Sequence, residues 1–285
     1  MGILQGGSVI ESVRASGVAL QPEARVIVAD PAEGAAFSLQ DAIDETVAGN
    51  GDVIICKPGA FDITTTVLFN KAGIRVMASG PTRNPLVRGE SHALLSNASF
   101  TDGPVAKISA PCVIEGMGFV SRDNGGLFFA GAALLIGGDA DANPFGVQIL
   151  GCRFPKWGLD NRIGIGIEGS SDVLIEECTF EGVTTALESG IYVQGATQNL
   201  VIRRNLFRSC TYAITHGVFA GGGPHGMYQE NTLEDSKLLE AQGNAATGIV
   251  AGNWLETATN ATSYDDTVGA LQALGIQFAG NHYSE

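Results

Sequence analysis

Six acidic residues fall close together in the middle of this chain: Glu168, Asp172, Glu176, Glu177, Glu181 and Glu188. Two carboxylates flanking a glycosidic bond suffice for its hydrolysis, one as general acid and one as base or nucleophile. Glu168 stands out because it ends the apolar stretch GIGIE at 164–168. The stretch GIYVQ ends in Gln194, and YAITH ends in His216. If these are neighbouring strands in that register, Glu168, Gln194 and His216 form a column on one outer face, able to touch a sugar. Glu168 and His216 are then the catalytic alternative, while the plainer reading of the column is an ordinary polar exterior with no catalytic residue. A slip of one residue would turn a side chain to the opposite face. Glu176 and Glu177 read better as structure. The matching positions further on carry Arg203-Arg204 and then Gln229-Glu230. Opposite charges in neighbouring rows support a stack by up to about 1 kcal/mol per pair.

Other chemistries are weaker. Asp139, Asp141 and Asn143 begin like a calcium loop, but Pro144 stands where an EF-hand needs Gly, and Leu150 where it needs Glu. A solvated polar loop is expected there. The five cysteines include no C-x-x-C pair and no histidine at zinc-ligand spacing. Free thiols are expected, with no disulfide framework, metal or other cofactor. Trp157 and Trp254 are candidate sugar platforms, and Trp254 occupies the more exposed kind of position.

The elements that must position these residues come from a short phrase repeated seven times. Two copies are VLIEECTF after Asp172 and LVIRRNLF after Asn199. The first apolar position falls at Cys112, Val147, Val173, Leu200, Gly226, Gly248 and Ile276, at spacings of 35, 26, 27, 26, 22 and 28. The second apolar position, two residues on, shares its face, as in a short strand. A two-residue turn follows. Then comes a column of Met117, Cys152, Cys178, Asn205, Asn231, Asn253 and Asn281. Asn tolerates a left-handed backbone, and stacked amides can hydrogen-bond one another at roughly 1 kcal/mol each. The last column, Phe119, Phe154, Phe180, Phe207, Leu233, Leu255 and Tyr283, is expected to stack in the core. A motif that recurs once per layer describes a coil being stacked.

This arrangement resembles the right-handed parallel β-helix of the pectate-lyase-like superfamily, with its asparagine and aromatic ladders. The resemblance covers roughly residues 36–285 and implies an all-β fold, a single-stranded right-handed parallel β-helix with an N-terminal capping helix. Such helices host lyases, hydrolases, adhesins and phage proteins, so the fold alone assigns no function. The front end agrees. Ser38-Leu-Gln-Asp41 reads as a helix start, with Leu39, Ile43 and Val47 on one face and Gly49-Asn50-Gly51 as the stop. Apolar runs at 53–56, 63–69 and 74–78 follow. Residues 1–35 are read as an attachment or cap segment and 36–285 as one β-helix domain.

The net charge is −14, which argues against nucleic acid or an anionic membrane surface as partner. No apolar run is long enough to span a bilayer. The first residues lack the basic start and apolar core of a signal peptide. Polygalacturonase-type relatives carry Asn-Thr-Asp, Asp-Asp, Gly-His-Gly and Arg-Ile-Lys in that order. Here Asp265-Asp266 follows His216 and His225, neither histidine is preceded by Gly, and Arg-Ile-Lys is missing. Pectate-lyase-type relatives use an Arg base and acidic calcium ligands on an anionic polymer, which suits this charge poorly.

Insertions at 120–146, 234–247 and 256–275 break the spacing, as loops that often carry binding. The first holds Phe128-Phe129, read as a further core strand or as a subunit contact. The last repeat stops two residues after Tyr283, leaving an edge that calls for cover. These features together lead to an expectation: a non-enzymatic structural protein of a tailed-phage virion, as capsid decoration or short spike. It would be a homotrimer in contact with capsid or tail proteins, with a host-surface glycan as a further candidate partner. The alternative is a polysaccharide-degrading enzyme or glycan-binding adhesin on the same scaffold.

Overall fold

The computed structural model describes residues 23–31, 38–79, 93–96, 103–120, 132–138, 143–156, 163–182, 187–217, 225–241, 247–256 and 276–283. Every strand pairing among them is parallel. The strands fall into sheets of ten, nine and seven. One coil shows the order. Leu174–Glu176 lies in the first sheet, Thr179–Gly182 in the second and Leu187–Gln194 in the third, and Leu200–Arg203 then rejoins the first. Each strand therefore pairs with its counterpart one coil away, as in Ile175↔Ile202 and Phe180↔Phe207. The result is an all-β parallel solenoid whose apolar side chains meet along its axis, as the repeat predicts.

The corner between the first and second sheets is set by a residue in the left-handed region. It is Gly116, Gly151, Glu177, Arg204, Glu230, Gly252 and Gly280 in successive coils, with φ between 54° and 69°. The expectation had assigned the left-handed backbone to the asparagine column. The structure places it one residue earlier. The physical reason is that the left-handed residue projects to solvent, while the next side chain must turn inward to bond its neighbours.

Those asparagines form a continuous ladder. Asn205 N–H and Nδ2 both donate to Asn231 Oδ1, at 3.0 and 3.1 Å. Asn231 repeats this onto Asn253, and Asn253 onto Asn281. Each Nδ2 also donates to a carbonyl of the preceding coil, Ile175 for Asn205 and Ile202 for Asn231. Cys178 and Cys152 take the same place in earlier coils, their thiols donating to Ile149 and Ile114 carbonyls. All five cysteines are free and buried, as expected. Burial pushes the Cys178 thiol well up, and neighbouring Cys152 adds to the shift.

Beside this ladder run stacked rings. Phe119, Phe154, Phe180 and Phe207 have successive centroids 5.4, 4.9 and 4.8 Å apart, with planes within 9°. Leu233 and Leu255 continue the column, paired in register through Phe207↔Leu233 and Leu255↔Tyr283. The rings need room on the facing third sheet, and Gly164 and Gly190 supply it. A Cβ on either would lie 2.7 or 2.6 Å from Cδ1 of Phe180 or Phe207.

The short helix spans Leu39–Glu45, and the Ser38 hydroxyl caps it by accepting from Asp41 N–H at 3.1 Å. Leu39, Ala42 and Ile43 are buried. Val47 was expected on the same face, but the helix ends before it and Val47 is 49% exposed. Thr46 stops the helix: its backbone is extended, and its hydroxyl donates to Ile43 carbonyl at 2.7 Å. Of the expected run 63–69, only Val67–Phe69 is strand, with Gly59–Asp62 preceding it. The strand Val26–Ala29, within the presumed 1–35 segment, pairs with Val53–Cys56 and is the first of the ten-stranded sheet.

Candidate functional site

The outer face of the third sheet gathers more polar and aromatic groups than the repeat requires. In strands Leu187–Gln194 and Cys210–His216 two adjacent residues, Gly190-Ile191 and Ala213-Ile214, face the core, and this break in the alternation leaves Ser189, Tyr192, Tyr212 and Thr215 on the other side. Ser189 Oγ and Thr215 Oγ1 share a hydrogen bond of 2.7 Å, and both residues are buried. Tyr192 packs with Ala132 and Ile163 in a small apolar cluster separate from the main core. Lys237 Nζ sits 5.3 Å above the Tyr212 ring. Burial pushes the Tyr212 phenol up, and the charge and hydrogen bond of Glu240 add to that. Ser189, Thr215 and Tyr192 are buried, so of these groups only half-buried Tyr212 and Lys237 are open to a ligand. Sequence reasoning missed it. Alternation could not signal it, because Ser189 and Tyr192 stand three residues apart.

Glu168 and Gln194 are paired in neighbouring strands of this sheet, as the register proposed. His216 is not their companion. It pairs with Val193, so the position next to Gln194 falls one residue later, at Gly217. That single step turns His216 into the lumen, where it is 2% exposed. Its Nε2 shares a 2.5 Å hydrogen bond with Tyr228 Oη, and the two rings meet edge to face. Nδ1 is buried without a hydrogen-bond partner. Burial pushes the imidazole down to about 3, so it is neutral near pH 7. A neutral, enclosed ring cannot exchange protons with a ligand outside the solenoid. The Glu168–Gln194–His216 column therefore does not exist, and His216 is a core residue.

The other acidic residues are largely engaged. Glu176 accepts from Arg203 Nε and Nη2 at 3.0 and 3.1 Å and from Arg204 at 3.1 Å. Arg204 also donates to Glu230 at 3.0 Å. Glu181 lies between Arg153 and Arg208, and Arg208 continues to Glu234. These rows match the charge alternation read from the sequence. Asp172 accepts from Asn199 Nδ2 at 2.8 Å. Glu177 is the exposed left-handed corner residue of its coil. Among the described residues, no group of three or more His, Cys, Asp and Glu is placed to hold a metal. Of the calcium-like stretch only Asn143 is described, and it is exposed. Phe128, Phe129, Trp157, Asp265 and Asp266 lie outside the described residues. Trp254 is 48% exposed on the second sheet and stacks against His282 with centroids 6.1 Å apart.

The sequence matches the family described as "Right handed beta helix region" over residues 86–268, more than half of the chain. No curated protein matches it significantly. Among solved structures, Escherichia coli YbhC aligns at 12% identity with a TM-score of 0.56, covering 93% of this chain and 86% of that one. The pectate lyase Pel9A aligns at 14% identity and TM-score 0.50, covering 85% and 71%. ORF18 of Geobacillus virus E2 aligns at 14% identity and TM-score 0.40, covering 81% and 53%. At these identities the first two likenesses are of fold.

Proposed function

The chain belongs to the right-handed β-helix family, and on that footing we propose that it is a non-enzymatic structural protein of a tailed-phage virion. It acts there as a homotrimeric capsid decoration or short spike, in contact with other virion proteins. The observation that carries the non-enzymatic part is the pairing of His216 with Val193. It removes the one acid–base column that the sequence offered. The ion-pair rows take up Glu176 and Glu181, and the polygalacturonase-type residue set is incomplete. The charge of −14 disfavours nucleic acid and anionic polymers as partners. The virion assignment is supported by the resemblance to phage β-helices together with these eliminations. The test is a cleavage screen of purified protein against neutral and acidic polysaccharides. No new reducing or unsaturated ends are expected. Turnover of any of them would overturn the reading.

A second reading is favoured by the half-buried Tyr212–Lys237 pair: binding or depolymerisation of a glycan on the third sheet's outer face. Under this reading Glu168→Gln removes cleavage of whichever glycan the screen identifies. A variant that cleaves it at the wild-type rate excludes Glu168.

A further inference from the structure

Three consecutive strands of the first sheet, His225–Gln229, Thr247–Ala251 and Ile276–Ala279, contain no Asp, Glu, Lys or Arg. Their outward residues are His225, Met227 and Gln229, then Thr247, Ile249 and Ala251, then Gln277 and Ala279. Met227 and Ile249 are neighbours across one pairing and each is 40% exposed. Inward, Tyr228 and Val250 are completely buried, so the outward set is fixed by alternation and cannot turn away. The preceding strands continue the apolar row with half-buried Val201 and Leu174, in register through Leu174↔Val201 and Val201↔Met227. The second sheet carries the Arg153, Glu181, Arg208 and Glu234 row on its outer side.

We propose that this charge-free face of the first sheet, centred on Met227 and Ile249, is the surface through which the chain contacts a second copy of itself. The claim rests on the self-assembling reading above and adds the place. Charge decides the occupant. Two copies at −14 repel each other, and they meet at least cost where neither presents a charge. A basic partner would find no carboxylate among these outward residues. A glycan would find one outward ring on the three strands, that of His225, whose Nδ1 is already engaged by the Thr247 hydroxyl. Three identical faces turned toward a threefold axis bring together matching flat apolar and amide groups.

The experiment is sedimentation of the full chain over a range of concentrations. The wild type is expected to be oligomeric. Ile249→Glu and Met227→Glu each place a charge in the face and are expected to weaken association by at least about 100-fold, because like charges are set against each other. Leu68→Glu, at a residue 41% exposed on the third sheet, serves as control and is expected to leave the mass unchanged. Raising salt from about 0.1 M to about 1 M is expected to hold or tighten the oligomer, since screening removes only repulsion. A monomeric wild type overturns the proposal. So does an oligomer indifferent to both substitutions, which would leave self-assembly standing on another face. Disruption by Leu68→Glu or by salt overturns it as well. None of these results bears on the cleavage screen, so the two readings fail separately.

Discussion

Gly190 faces Phe207 so closely that a Cβ on the glycine would lie 2.6 Å from Phe207 Cδ1 and 2.8 Å from the Ala213 carbonyl. The ring stack and the third sheet are therefore fitted to each other through missing side chains. Gly190→Ala is expected to destabilise the fold by about 1–3 kcal/mol, the usual cost of overpacking. The comparison is chemical denaturation of variant and wild type. An unchanged midpoint would show that the facing strands can separate freely.

Asn231 is the middle of the amide ladder. Its Oδ1 accepts from Asn205 N–H and Nδ2, and its own Nδ2 donates to Asn253 Oδ1 and Ile202 carbonyl. Asn231→Ala leaves several of these groups buried and unpaired, for an expected loss of about 2–4 kcal/mol. Asn231→Cys should lose less, because Cys178 already shows that a thiol can donate to the preceding coil's carbonyl. If cysteine proves as damaging as alanine, the donor to that carbonyl is not what the position needs.

His216 links stability to pH. Its folded value, about 3, lies below the ordinary 6.5 because the ring is buried. As pH falls through 6.5 the unfolded chain takes up a proton that the folded chain refuses, so stability drops until pH reaches about 3. Between pH 7 and pH 4.5 this amounts to about 2–3 kcal/mol. His216→Gln should remove that part of the pH dependence while keeping a partner for Tyr228. Parallel curves for variant and wild type over this range would count against a buried neutral imidazole.

Asp52 ties the capping helix to the first strands. It is fully buried and accepts from Arg25 N–H at 2.9 Å, the Arg25 guanidinium at 2.8 Å and Val47 N–H at 2.9 Å. Burial opposes its charge, but Arg25 and the two backbone donors outweigh that and hold the carboxyl below its ordinary range. Its contribution is present above the ordinary carboxylate value and is lost as pH falls through the lower folded one. Asp52→Ala is expected to cost about 3 kcal/mol by orphaning these donors. Hydrogen exchange should show the loss first in Leu39–Glu45 and Val53–Cys56. Uniform protection throughout would contradict that local role.

Most of the solenoid was legible because stacked coils repeat side-chain types as well as spacing. The Asn205, Asn231, Asn253 and Asn281 column and the Phe119 to Phe207 column are one geometry written several times. The third sheet was less legible. Its strands follow connections of unequal length, so nothing in the phrase fixes their register. YAITH ends in a polar residue like GIYVQ, yet Val193 meets His216 because Cys210–His216 is offset by one. The left-handed corner was misassigned for a related reason. The corner is Gly in some coils and Glu177, Arg204 or Glu230 in others, and only the backbone reveals their common role.

The amide ladder has one more consequence. In every rung from Cys178 to Asn253, the backbone N–H donates toward the later coil and the carboxamide oxygen receives from the earlier one. The carboxamides are thus aligned in one sense along the wall, and the rod has a direction. Joined end to end, two such rods can extend this row only head to tail, since a head-to-head junction would set donor against donor.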